Sequence, residues 1–234
     1  MLRIRDLHTS YGAVQVLRGV SFDVPEGQVV TLLGGNGSGK STTLKSIMGV
    51  APAHAGQIEF MGKEIRGLKP QAIVPMGIVT VPQGRRLFAP LTVQENLRLG
   101  AFCRRDRSEI RKDFENVFSR FPDVRTWLSR KGNQLSVGQQ QLVAFGRGLM
   151  GRPRLMLLDE PSAGLAPILV AKLGEIIREI ARSGTTILLV EQNVHLALSI
   201  ASYGYVLRDG KIALAEPAEK LRGNEAVTKQ YLGG

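Results

Sequence analysis

Gly34-Gly-Asn-Gly-Ser-Gly39-Lys40-Ser41 constrains this chain more than any other stretch, because it fits the spacing G-x-x-x-x-G-K-[ST]. The apolar run Val29–Leu33 precedes it and has the pattern of a strand buried on both faces. After it, Leu44, Ile47 and Met48 recur at helical spacing, and Gly49 offers a stop. A strand, a glycine loop and a helix in that order turn backbone N–H groups inward around a phosphate, with the positive helix end behind them. Lys40 then reaches the β and γ phosphates of a bound nucleotide, and the Ser41 hydroxyl is placed to ligate Mg²⁺.

Two further apolar runs end in polar pairs. Leu155–Leu158 leads into Asp159-Glu160, and Thr185–Val190 leads into Glu191-Gln192. Between them the spacing of Leu169, Leu173, Ile176, Ile177 and Ile180 predicts a helix over about 167–182, opened by Pro167 and closed by Gly184. Buried strands alternating with amphipathic helices indicate a parallel α/β sheet, whose ligands bind at the carboxyl ends of the strands. Asp159 is thereby expected near the Mg²⁺. Glu160 is expected beside the γ-phosphate, able to orient or deprotonate a water. Glu191-Gln192 would add a third, weaker polar pair on that edge.

The first 30 residues alternate in the strand manner at Leu2, Ile4, Val20, Phe22 and Val24 and close at Pro25-Glu26-Gly27, which predicts an N-terminal antiparallel β-subdomain. Residues 57–82 read as short strands and turns around one weak helix. From about 90 to 150 the sequence becomes basic and helical, which suggests a helical subdomain inserted into a single domain spanning 1–234. Trp127 is expected to pack inside it. Beyond about 215 the tail is polar and indicates no function.

Composition sets outer bounds. With 43% hydrophobic and 22% charged residues the chain is not of the disordered class. Its one cysteine, Cys103, excludes an internal disulfide and a zinc cluster. No apolar run approaches the ~18–20 residues of a membrane helix, and the N-terminus lacks a signal-peptide core. The net charge of +11 fits nucleic acid, a membrane surface with its proteins, or a solvated surface. The stretch Arg104, Arg105, Arg107, Arg111 and Lys112 is interleaved with Asp106 and Glu109, so it reads as a solvated helix face. His195 reads as an ordinary helix-surface histidine.

A second glycine motif, Leu135-Ser136-Val137-Gly138-Gln139, precedes a helix carrying Leu142, Phe145 and Leu149. Taken alone it is a helix start capped by Ser136.

At these positions the chain resembles the ATP-binding subunit of ABC transporters over nearly its whole length. Gly34–Ser41 resembles Walker A, Leu155–Glu160 Walker B, Leu135–Gln139 the ABC signature, and Gln83 in Val81-Pro82-Gln83 the Q-loop. Tyr11 falls where the family stacks an aromatic on adenine. The wording of Val81–Phe88, Asp159–Pro167 and Leu189–Asn193 resembles the branched-chain amino acid uptake subfamily, to which urea and amide relatives are similar. The resemblance implies a P-loop NTPase core and an ATP site of Tyr11, Gly34, Gly35, Asn36, Gly37, Ser38, Gly39, Lys40, Ser41, Thr42 and Gln83. It implies Mg²⁺ held by Ser41, Gln83 and Asp159, catalysis by Glu160, Gln192 and Lys40, and Ser136, Gly138 and Gln139 contacting ATP on a partner subunit.

The implied partners are transmembrane permease subunits, a second related ATPase subunit and, indirectly, an external solute-binding protein, with no nucleic acid. The implied place is peripheral, on the cytoplasmic face of the cell membrane. Three residues depart from the general pattern: Val137 for the first signature glycine, Ala166 for an aspartate and Gln192 for a histidine. The rival readings are a soluble ATPase of this type acting on nucleic acid or ribosomes, and a regulatory subunit with negligible turnover.

Overall fold

The computed structural model describes residues 1–222; residues 223–234, which end both the polar tail and the expected 1–234 domain, lie outside them. In chain order the elements are β1 (Leu2–Tyr11), β2 (Val14–Val24), β3 (Val29–Leu33), α1 (Lys40–Ile47), β4 (Ala53–Phe60), β5 (Lys63–Glu64), α2 (Pro70–Ile73) and β6 (Ile78–Val81). Four helices follow: α3 (Val93–Gly100), α4 (Arg107–Arg120), α5 (Pro122–Thr126) and α6 (Val137–Leu149). The chain then returns through β7 (Leu155–Asp159), α7 (Pro167–Arg182), β8 (Thr186–Glu191), α8 (Val194–Ile200), β9 (Tyr203–Arg208), β10 (Lys211–Pro217) and α9 (Ala218–Arg222).

Two sheets result. The antiparallel one has the order β2-β1-β4-β5, and the larger one β10-β9-β3-β8-β7-β6. In the larger sheet β6, β7, β8, β3 and β9 run parallel, and β10 adds an antiparallel edge through the turn at Asp209-Gly210. That edge strand was not foreseen, since its residues alternate between exposed and half-buried and carry no apolar run.

The larger sheet is a middle layer, and the two-residue period of its strands divides the core. Val30, Leu32, Leu155, Leu157, Leu188 and Val190 face α1 and the antiparallel sheet. Val29, Leu33, Met156, Leu158, Ile187 and Leu189 face the other way, onto α6, α7 and α8. Helix α7 spans the predicted residues, with Pro167 in its first turn and Leu173, Ile176, Ile177 and Ile180 buried. The helices from 93 to 149 share this second core: Val93, Leu97, Val117, Val143 and Phe145 are continuous with the strand residues. Trp127 packs against it, half-buried.

The basic stretch needs one correction. Arg105, Arg107, Arg111 and Lys112 are exposed, but Arg104 is not part of a solvated face. Its guanidinium donates to Asp113 Oδ2 at 2.6 Å and to the Met150 carbonyl at 2.7 Å, and Asp113 also accepts from Arg152 at 2.8 Å. Asp106 and Asp113 raise the Arg104 pKa, with the hydrogen bond that Arg104 donates to Asp106 the largest cause. A buried Asp113 needs such partners, so tertiary contact rather than sequence alternation decides where Arg104 goes.

Candidate functional site

Because β3, β6, β7 and β8 are parallel, their carboxyl ends lie on one edge of the sheet. The register aligns Leu33 with Glu191, Asp159 with Val190, and Val81 with Leu158. The loops 34–41, 82–88, 159–166 and 191–193 therefore leave the sheet side by side, which brings together residues far apart in sequence.

In the first loop Gly34, Ser38, Gly39 and Lys40 are buried, while Gly35, Asn36 and Gly37 form an exposed lip. Gly34 admits no side chain, since a Cβ there would lie 2.4 Å from the Leu207 carbonyl and 2.6 Å from Ser38 Oγ. Gly39 begins α1 at φ 110°, a left-handed conformation, and no side chain caps the helix. The first amides of α1 are thus left free of side-chain partners. Ser38 Oγ is buried without a hydrogen-bond partner among the described residues. Thr42 follows in the first turn, half-buried.

Lys40 is only 4% exposed and is held by its surroundings. Its Nζ donates to the carbonyls of Gly34 at 2.8 Å and Gly35 at 3.0 Å and lies 3.1 Å from Glu160 Oε1. The Ser41 hydroxyl donates to Asp159 Oδ1 at 2.9 Å. Burial pushes the Asp159 pKa up, and the Ser41 hydrogen bond opposes the shift.

Glu160 sits at φ 43°, a strained backbone for a non-glycine residue, with its N–H donating to the Val190 carbonyl at 2.9 Å. That turn aims its carboxylate at two groups: Lys40 on one oxygen and the Gln83 side-chain amide on the other, the latter at 2.8 Å. Gln83 thus meets Glu160, and it makes no hydrogen bond to Ser41 or Asp159 among the described residues.

Glu191 departs from its expected place on the ligand edge. It is 1% exposed and turned inward. Its Oε1 accepts the Ser162 N–H at 2.9 Å, and its Oε2 accepts those of Gln192 at 3.2 Å and Asn193 at 3.1 Å. Burial raises its pKa against these bonds. Glu191 is therefore a brace between the loop after β7 and the loop after β8. Polarity at a strand end cannot distinguish a carboxylate facing a ligand from one that ties two loops together. Gln192 is exposed beyond it, and His195 is exposed on α8. Tyr11 ends β1 with its side chain 43% exposed.

The signature residues sit elsewhere, at the start of α6. Ser136 Oγ accepts the Gln139 N–H at 3.3 Å while Gln139 Oε1 accepts the Ser136 N–H at 2.9 Å, a reciprocal cap. Ser136, Gly138 and Gln139 line a cavity of about 260 Å³ against Leu165, Leu169 and Leu173. No hydrogen bond joins them to residues 34–41 among the described residues. Val137 is 44% exposed, so its branched side chain points outward and leaves the cap intact.

This donor set suits a nucleotide phosphate chain. It combines uncapped helix amides, a buried hydroxyl without a partner, and a lysine already facing the loop interior. Ser41 Oγ and Asp159 Oδ1 are hard oxygen donors held together, a pair suited to Mg²⁺ that keeps water and phosphate as its other ligands.

Comparison with known proteins agrees with the geometry. Residues 17–163 match the ABC transporter family model. The chain is 42% identical over 234 residues, covering 100% of both, to the high-affinity branched-chain amino acid transport ATP-binding protein BraG of Pseudomonas aeruginosa. It is 36% identical, over 100% of this chain and 99% of the other, to a protein of Archaeoglobus fulgidus described as "Probable branched-chain amino acid transport ATP-binding protein LivF". A nucleotide-free ATP-binding cassette of an ABC transporter superposes with a TM-score of 0.86 at 29% identity, covering 97% of this chain and 95% of that one. A dimeric cassette in a post-hydrolysis state with ADP and Pi gives 0.84 at 25% identity, covering 93% and 99%. The strand edge with its phosphate loop, the paired carboxylates and these matches lead to one conclusion: the chain belongs to the ABC transporter family, as an ATP-binding and ATP-hydrolysing cassette.

Proposed function

We propose that this cassette energises an importer of branched-chain amino acids, working as one half of a cassette dimer beneath transmembrane permease subunits. One observation carries the catalytic part: Glu160 is held between Lys40 and Gln83 at the edge where Asp159 and Ser41 meet.

The phosphates of ATP lie along the amides of residues 34–41, with Tyr11 against the adenine and Lys40 on the β and γ phosphates. Ser41 and Asp159, with Gln83, hold a Mg²⁺ ion, which neutralises phosphate charge when bound. Glu160 orients the attacking water and accepts its proton, and Gln192 donates an amide hydrogen bond to the γ-phosphate side. A histidine there could carry charge; Gln192 supplies a neutral donor only. Ser136, Gly138 and Gln139 contact the ATP held by the partner subunit; the structural relative that is dimeric with ADP and Pi supports the pairing of cassettes.

The partner cassette is a related, different chain. The groove of about 1320 Å³ between α3 and α4, with Phe102 exposed and Arg105, Arg107 and Arg111 along it, supports docking of a permease segment. That places the chain peripherally on the cytoplasmic membrane face, with the external solute-binding protein acting indirectly. No helix among the described residues is long and apolar enough to cross a membrane.

Glu160→Gln tests the catalytic reading: turnover falls by about 10²–10³-fold while ATP affinity stays within about threefold. Wild-type turnover in that variant would remove Glu160 from catalysis. For the solute, vesicles reconstituted with this cassette and the membrane proteins that co-purify with it should accumulate leucine, isoleucine and valine on ATP hydrolysis. Uptake of urea or short amides in their place would overturn the branched-chain assignment.

A further inference from the structure

The loop after β6 carries a run of three left-handed residues: Gly84 at φ 73°, Arg85 at 65° and Arg86 at 44°. Only glycine adopts this conformation freely, so two consecutive arginines in it need outside support. The support comes from Arg147, in the last turn of α6. Its guanidinium donates to the Arg86 carbonyl at 2.8 Å and to the Arg85 carbonyl at 3.0 Å. No carboxylate pairs with Arg147 among the described residues, and burial pushes its pKa down. A half-buried guanidinium without a carboxylate partner gives up part of its hydration, and its planar fork suits gripping both carbonyls at once.

Arg85 continues the connection. Its side chain donates to the Ala163 carbonyl at 2.9 Å, three residues beyond Glu160, and its Nε is buried without a partner among the described residues. Gln83, immediately before the left-handed run, bonds Glu160 itself. Three segments therefore meet through two arginines: the helix that begins at Ser136, the loop of Gln83 and the loop of Glu160.

We propose that Arg147 and Arg85 are positioning residues for ATP hydrolysis. Arg147 holds the Gln83 loop in its left-handed run, and Arg85 ties that loop to Ala163, so a movement of α6 reaches the Gln83–Glu160 contact as a displacement. This rests on the reading of Glu160 and Gln83 given above. Arg147 does not stand out among the 31 Lys and Arg residues, and the Val81–Phe88 segment that holds Arg85 does not reveal its contact, because only the folded backbone shows which carbonyls they meet.

The test is steady-state ATP hydrolysis by the full chain carrying Arg85→Ala, Arg85→Lys, Arg147→Met, or Arg85→Ala with Arg147→Met, with Glu160→Gln as control. Arg85→Ala and Arg147→Met should each lower kcat by about tenfold while KM for ATP stays within about twofold, the mark of an interaction used in the reaction step. Arg85→Lys, which keeps one donor for Ala163, should recover about half of the loss. The double variant should be no slower than the slower single, because both act on one loop.

Unchanged kcat in Arg85→Ala, a rise in KM matching the loss of kcat, or multiplied losses in the double variant would overturn the proposal. If Arg147→Met fails to fold, the Arg85→Ala and Arg85→Lys pair decides alone. Full turnover in Glu160→Gln would overturn the site reading, and the clamp with it. Loss in Glu160→Gln beside full activity in Arg85→Ala overturns the clamp only.

Discussion

Two helices in this chain have a serine and at least one glycine at their start, and they treat their first amides in opposite ways. Helix α1 starts at Gly39 with no side chain capping it. Helix α6 starts at Ser136, whose hydroxyl takes one amide while Gln139 returns the bond. The first end leaves donors facing a cradle with a buried lysine; the second satisfies its own. Both carry the positive end of a helix dipole, so the dipole alone does not make an anion site. What separates them is whether side chains have already used the donors. In the proposed dimer the α6 end would offer the amides its cap leaves over to a phosphate on the partner subunit, whereas the α1 end faces its own loop interior.

Gly34 is where the α1 end is most sensitive. Gly34→Ala puts a methyl group against the Leu207 carbonyl and Ser38, so the loop must shift. The expected loss of stability is about 1–3 kcal/mol by thermal unfolding, and ATP affinity by calorimetry should fall about tenfold or more. Normal affinity would show that the close packing of the cradle does not matter.

Ser136→Ala sharpens the contrast at the other helix. Losing the cap should cost about 1 kcal/mol, with ATP binding to the isolated chain unchanged. A fall in that affinity would mean that Ser136 serves its own subunit's site.

The smallest effect is expected at Asp159. Burial raises its pKa in the folded chain, so its ionised form opposes folding. The favourable contribution of its protonated form is complete below the ordinary carboxylate pKa and is lost as pH rises through the raised folded value. Asp159→Asn should therefore raise the melting temperature of the nucleotide-free chain modestly at pH 7. The gain should shrink on acidification and vanish below the unfolded pKa. The Ser136→Ala deficit should show no such pH dependence, and a pH-independent gain at Asp159→Asn would refute the burial origin.

Much of the site was legible in the residues because it is local. Residues 34–41 are consecutive, and Lys40 and Ser41 follow the loop they serve. The strand before them and the helix after them can be read from spacing within one element. A parallel sheet puts every strand's carboxyl end on one edge, and the structure sets Glu160 on that edge beside Lys40 and Gln83. The same argument failed for Glu191, which shares that edge but turns inward to accept three amides from two loops. Charge alternation likewise missed the tertiary contacts of Arg104, since Asp113 lies on α4 and Met150 just past α6.

The order of residues is enough to decide where helix α7 begins and ends, because Pro167 and Gly184 act on their own backbone. It also decides the phosphate loop, whose glycines and lysine are neighbours in the chain. Only the packed structure decides that Gln83 reaches Glu160 across 77 positions, that Arg147 grips the carbonyls of Arg85 and Arg86, and that Glu160 takes a left-handed backbone. The physical reason is reach. Propensity, capping and turn chemistry act within a few residues, whereas these contacts exist only after sheet register and core packing have brought distant loops to one edge.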